Sequence, residues 1–321
     1  MTKLTACLAG TVLCAAVAAQ EVPTRDVIVS VVGADGKPVP DLRLDEFQVF
    51  VDERRIPVVS VTRSDVPLSM AAVIDMSASS RFAQSTYAEE RAESVVDGVL
   101  KDATAADTAR LARVGGMDLF ISPRLPLRTQ PFTTRISDAY DCPNSSSPIW
   151  DAVAAAVHAL TGDPHRRLVV LATDGRATAT TLSVADAAHY ALQMQTAVSV
   201  IDVGGSLTIP QWNGEAAVIE PGKALRWLAA TTGGAYIPDG PALRTRAAVD
   251  SYPLVRRAIA VRRHAYSVTL RLPAGAAGAL SMVVTRPETI VFAPSLLDPP
   301  PVELSESLLA RVRDFEKCFN K

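Results

Sequence analysis

The sequence predicts an α/β fold: a doubly wound, mainly parallel sheet, joined to a small β-sandwich-like module made from both chain ends. Two observations carry this. Between about Pro67 and about Val261, continuous apolar runs alternate with helical stretches, the rhythm of parallel strands covered by helices on both faces. On either side, the rhythm changes to short alternating runs rich in β-branched residues, as in half-buried antiparallel strands.

Residues 1–19 read as a signal peptide. Lys3 precedes an apolar or small stretch from Leu4 to Ala19, and Val17-Ala18-Ala19 supplies small residues before a cut at Gln20. That run of 16 residues is shorter than the roughly 20 of a membrane-spanning helix. The expectation is an exported protein, secreted or periplasmic, with no membrane span after signal cleavage. Cys7 and Cys14 would leave with the peptide. Cys142 and Cys318 would stay, and the sequence does not decide whether they pair.

Residues 20–66 are expected to form the first part of the β module. Asp26 to Val32, Phe47 to Val51 and Ile56 to Val61 are its strands, with a turn at Asp35-Gly36-Lys37-Pro38. Residues 67–261 form the α/β domain. Leu68 to Ile74 is a strand buried on both faces, and Phe82 to Leu100 reads as a helix. Thr108 to Val114 and Asp118 to Ser122 are candidate strands, and 123–149 is irregular. Asp151 to Leu160, Val184 to Met194 and Ala224 to Ala230 read as helices; Leu168 to Ala172, Ala197 to Val203 and Ala235 to Ile237 read as strands. In residues 262–297, Tyr266 to Leu272, Ser281 to Thr285 and Thr289 to Phe292 return to the β rhythm and complete the split module. Residues 298–321 are a Pro-rich linker and a last helix, with Leu304, Leu308, Val312, Phe315 and Phe319 spaced at three or four.

Composition narrows the function. Hydrophobic residues are 48%, charged residues 21%, and the net charge is −2. This is a globular balance without the basic excess of a nucleic-acid binder. No Gly-x-Ser-x-Gly elbow and no phosphate-binding Gly-x-x-x-x-Gly-Lys loop occurs. His158 and His189 fall in helices, and His165 and His264 at solvated positions. Trp150, Trp212 and Trp227 are read as packing residues, Trp212 with some claim to exposure. Arg256-Arg257 and Arg262-Arg263 are read as faces turned to water.

The chemistry concentrates at strand ends. The first α/β strand runs into Asp75-Met76-Ser77-Ala78-Ser79, and a later one into Thr173-Asp174-Gly175. Open α/β sheets bind ligands at the carboxyl ends of their strands. A carboxylate with alternate hydroxyls is a set of hard oxygen donors, suited to Mg²⁺. The Ser-rich loop 144–147 adds further hydroxyls just before the Asp151 helix.

These residues resemble the von Willebrand factor type A family. Asp75-x-Ser77-x-Ser79 matches that family's metal-ion-dependent adhesion site, and Asp174 before Gly175 matches its later Asp. The family's Thr four residues before a helix-starting Asp falls on Ser147, with Ser145 and Ser146 as alternatives. Ala78 replaces the usual Gly. The stretches Asp35 to Val39 and Leu44 to Phe50, the segment Leu225 to Gly234 and the β tail are similar to a bacterial secreted subgroup. The resemblance implies a Rossmann-like domain and a metal site made of Asp75, Ser77, Ser79, Ser147 and Asp174. In it the two Asp act mainly through water, and the Ser bind directly. It implies Mg²⁺ (or Mn²⁺ or Ca²⁺), no catalysis, and a partner protein offering an acidic side chain to the metal. Two other readings stay open: a metal-independent scaffold, and a metal-assisted hydrolase, for which the sequence offers no convincing base or nucleophile.

Overall fold

A computed structural model describes residues 23–75, 103–114, 119–121, 146–203, 207–210, 216–219, 221–238, 252–273 and 275–314. The expected signal peptide, the helix over Phe82 to Leu100, Ser77, Ser79, Trp212, Cys142 and Cys318 lie outside the described residues.

The terminal segments form two antiparallel sheets face to face. Strand β1 (Thr24–Gly33) pairs with β13 (Tyr266–Arg271) and β15 (Thr289–Phe292), and β4 (Val58–Arg63) closes that four-stranded sheet. Strand β2 (Phe47–Val51) lies between β3 (Arg54–Ile56) and β14 (Leu280–Val284) in a three-stranded sheet. The single strand expected over Ile56 to Val61 is two, because Pro57 has no N–H to continue a ladder. Alternate residues Val27, Val29 and Val31 of β1 face Phe47, Val49 and Val51 of β2 in one apolar core. Tyr266 is buried there with its hydroxyl satisfied. It donates to the Val39 carbonyl at 2.8 Å and accepts from the Leu42 amide at 3.1 Å.

The central domain is a seven-stranded sheet of order β12-β9-β8-β5-β6-β7-β16. Five strands run parallel: β12 (Tyr236–Pro238), β9 (Ala197–Asp202), β8 (Arg166–Thr173), β5 (Leu68–Asp75) and β6 (Thr108–Val114). All eight residues of β5 are buried, as a strand covered on both faces requires. Ala71 and Val73 point into one core, against α1 (Ile149–Ala159), α2 (Val184–Gln193) and α3 (Pro221–Thr232). Met70, Ala72 and Ile74 point to the other, against α4 (Tyr252–Arg263). The doubly wound architecture is therefore present. A hairpin of β10 (Leu207–Pro210) and β11 (Ala216–Ile219), unforeseen in the sequence, precedes α3.

Three expectations are corrected. The last helix is short: α5 (Glu306–Ala310) gives way to β16 (Val312–Asp314), which pairs in parallel with β7 (Leu119–Ile121). Helical spacing and strand pairing compete over Val312, and the free edge of β7 decides for the strand. Trp227 is 42% exposed rather than packed, while Trp150 is buried. Arg262 and Arg263 do not face water.

Those arginines tie the end of α4 to the amino edge of the sheet. Arg262 is buried and donates to the Arg167 and Gln195 carbonyls. Arg166 donates to the Arg262 and Arg263 carbonyls at the end of α4. Burial pulls the Arg166 guanidinium down to about 10 and that of Arg262 to about 9. Arg263 grips the buried Asp107 with two hydrogen bonds, and Asp107 also accepts the Leu68 and Thr104 amides. Burial pushes the Asp107 carboxyl up, but the Arg263 and amide bonds outweigh it and hold it below the usual range. A carboxyl depressed in the fold adds stability above its unfolded value, and that stability is lost as pH falls through its folded value. Asp107→Asn should therefore lower the unfolding free energy at neutral pH by about 3 kcal/mol. It should also flatten the acid limb of stability against pH in urea titrations; an unchanged pH profile contradicts the assignment.

Candidate metal centre

The carboxyl edge of the parallel strands gathers the candidate residues. Pairing of Ile74 with Ala172 places the ends of β5 and β8 side by side. Thr173 Oγ1 then donates to Asp75 Oδ2 at 2.5 Å. Ser147, just before α1, donates its hydroxyl to both Asp75 oxygens at 3.2 and 3.3 Å. Asp75, Ser147, Thr173 and Asp174 are all buried. A buried carboxyl group without donors is costly, so these hydroxyls help to stabilise Asp75 there.

Two devices hold the β8–α2 loop over this cluster. Ser147 N donates to Thr178 Oγ1, and Thr178 N returns a bond to the Ser147 carbonyl, both at 2.8 Å. Asp151, fully buried in the first turn of α1, accepts from the Thr181 and Leu182 amides and the Thr180 and Thr181 hydroxyls. It also accepts from Arg311 at 2.7 Å, which ties the C-terminal segment to the same loop. Gly175 has φ +75°, and a Cβ there would lie 2.8 Å from Pro221 Cβ and 2.9 Å from Leu225 Cδ1. Glycine is needed both for the turn and for the close approach of α3.

Asp174 sits beside the Asp75 cluster rather than bonded into it. Its Oδ1 accepts the Arg176 amide at 3.0 Å. Its Oδ2 is buried without a hydrogen-bond partner among the described residues, and Arg176 Nε stands 3.6 Å away. A third acid, Asp202 at the end of β9, accepts the Tyr236 hydroxyl at 2.5 Å. Burial first, and that bond second, raise the Tyr236 pKa. The Arg226 guanidinium lies 5.0 Å from the Tyr236 ring centroid.

Of the five residues singled out in the sequence, Asp75 and Ser147 are in hydrogen-bond contact, and Asp174 is on the adjoining loop. Ser77 and Ser79 lie outside the described residues. Thr173 was read only as the strand-end neighbour of Asp174, and Asp151 only as the helix-starting Asp; Arg176, Thr178 and Asp202 were not foreseen as parts of this edge. For Thr173 as a donor a signal was available, since it stands where the apolar run of β8 stops, as Asp75 does in β5. The donors are all oxygen, from carboxylates and hydroxyls, which fits a hard divalent cation. The unpartnered Asp174 Oδ2 fits it as well. Among the described residues, no three His, Cys, Asp or Glu side chains form a metal-holding group, so hydroxyls must supply part of any shell. His158, His165 and His264 stand toward the amino edge of the sheet, at the end of α1, before β8 and after α4.

No protein-family profile matches the sequence, and no characterised protein matches it significantly. Several solved structures are similar to part of it. An aerotolerance-related membrane protein from Bacteroides fragilis is 19% identical over 60% of this chain and 98% of its own, with a TM-score of 0.43. Proximal thread matrix protein 1 from the mussel byssus, solved with a zinc-occupied metal-ion-dependent adhesion site, is 14% identical over 61% of this chain, with a TM-score of 0.42. This chain spans 48% of that protein. A von Willebrand factor type A protein from Catenulispora acidiphila is 13% identical over 74% of this chain and 50% of its own, with a TM-score of 0.44. These likenesses are loose. The strand order itself, five parallel strands with helices on both faces, is that of a doubly wound α/β sheet, an arrangement that fits the von Willebrand type A fold.

The Gly175 geometry is open to direct measurement. Gly175→Ala should cost about 2 kcal/mol or more in chemical unfolding. Gly162→Ala, where an added Cβ meets nothing within 4 Å, should stay within about 0.5 kcal/mol. Equal effects would contradict the close approach of α3.

Proposed function

We propose that the protein is an exported, non-enzymatic protein-binding module that works through a divalent cation at the carboxyl edge of its central sheet. The supporting observation is the convergence of Asp75, Ser147 and Thr173, from three separate chain segments, beside an Asp174 oxygen that lacks a hydrogen-bond partner. Asp75, Ser147 and Asp174 would hold the ion together with Ser77 and Ser79. Mg²⁺ is the first choice, with Mn²⁺ and Ca²⁺ as substitutes. A bound cation of this kind supplies a positive centre that an acidic side chain of a partner protein can join.

The chain's own residues do the rest. Ser147 and Thr173 orient the Asp75 carboxyl. The Asp151 clamp and Gly175 fix the loop carrying Asp174. The split sandwich, with residues 20–66 and 262–297 as its two halves, carries the domain. Export rests on residues 1–19; among the described residues, no helix is long and apolar enough to cross a membrane.

A metal-independent scaffold is the second reading, and one observation favours it: a cation of the chain, Arg176, already lies against Asp174. Calorimetric titration with Mg²⁺ separates the two. Wild type should bind one ion per chain, and Asp75→Asn and Asp174→Asn should each weaken binding at least about thirty-fold, given roughly 2 kcal/mol or more per lost charge. Equal heats from all three proteins would remove the metal from the account.

A further inference from the structure

Two buried polar atoms face each other at the candidate centre without bonding. Asp174 Oδ2 and Arg176 Nε are 3.6 Å apart, and neither has a hydrogen-bond partner among the described residues. At that distance they attract as charges but do not form a hydrogen bond. A guanidinium stays charged in a protein, so Arg176 neutralises Asp174 in this arrangement. The backbone amide of the same residue takes the other oxygen of Asp174. Both oxygens therefore face Arg176.

We infer that Arg176 is an internal counter-cation for Asp174, which a divalent ion must displace, so that filling the centre and releasing the Arg176 side chain are one coupled event. The inference rests on the metal-binding reading above. Its physical basis is a contest between two cations for one buried carboxylate oxygen. A buried carboxylate whose oxygen lacks a hydrogen-bond donor is stabilised by a nearby positive group. Arg176 is that partner in the present arrangement, and a metal ion or its bound water would take its place. The two positive groups repel each other at such range, so the ion and the closed Arg176 exclude one another. The Arg176 side chain is 26% exposed, so it has a solvent side toward which to swing. Apparent metal affinity is then the intrinsic affinity reduced by the closed population.

The test is Mg²⁺ titration by calorimetry on the full chain, with wild type, Arg176→Gln and Arg176→Lys. Removing one positive charge beside a divalent ion should tighten binding about ten-fold or more, even with solvent screening. Arg176→Lys keeps the charge and should stay within about three-fold of wild type. Binding by Arg176→Gln alone also supports the inference, since the resident cation then blocks the site in wild type. Measurable but equal affinities for wild type and Arg176→Gln overturn it and leave the metal reading standing. Absence of heat from both ends the metal reading and the inference with it. A readout on the unaltered chain guards against misfolding of the variant: the Arg176 Nε–H resonance should shift and exchange faster at saturating Mg²⁺. A resonance that does not move while Mg²⁺ binds overturns the inference.

Discussion

The central domain is organised around a carboxyl group, Asp75, buried at the end of its middle strand. Burial would be prohibitive without donors, and these come from residues 72 and 98 positions away in sequence. Ser147 must therefore be delivered by the segment before α1 and Thr173 by the end of β8. Neither can be placed unless the β5–β8 register is correct. A slip of one residue would turn Thr173 to the other face of the sheet and leave Asp75 unmatched on that side. One satisfied carboxyl thus links strand register, helix entry and the shape of the edge where a ligand binds.

The opposite edge is built with the other charge. Arg166, Arg167 and Arg262 donate to backbone carbonyls around the chain crossing between sandwich and sheet, and Arg263 pairs with Asp107. Side-chain donors there satisfy backbone carbonyls at the end of α4, at the start of β8 and just after α2. The result is a firm amino edge against which the carboxyl edge is positioned. The C-terminal segment reinforces it. β16 extends the sheet, Leu308 enters the main core, and Arg311 reaches Asp151 under the β8–α2 loop.

Much of this was legible in the sequence, for a physical reason. Strands buried on both faces need continuous apolar runs, so Leu68 to Ile74 and Leu168 to Ala172 mark themselves. The strands of the sandwich show a period of two, as in Phe47 to Val51. What stayed hidden depends on pairing partners distant in sequence. Val312 fits a helical stripe until the free edge of β7 takes it. Arg262 looks like a surface cation until β8 and the turn after α2 each present a carbonyl to it. At the site, Asp75, Ser147 and Asp174 could be named from motif and spacing. Thr173 could be placed at the strand end but not paired with Asp75, because that pairing follows from the β5–β8 register, and Arg176 could not be named at all, because its role follows from the loop fold. Trp227 shows the reverse case, a large apolar residue on the solvent side of α3.

The account's central claim is that the oxygens at this edge share one cation. The most direct measurement is a crystal structure from Mn²⁺-soaked crystals, read in an anomalous difference map. The account predicts one strong peak among Asp75, Ser147 and Asp174, with oxygens at about 2.1–2.3 Å for the direct ligands and the Arg176 side chain turned away. A map with no peak at that edge, and Arg176 still against Asp174, would contradict it.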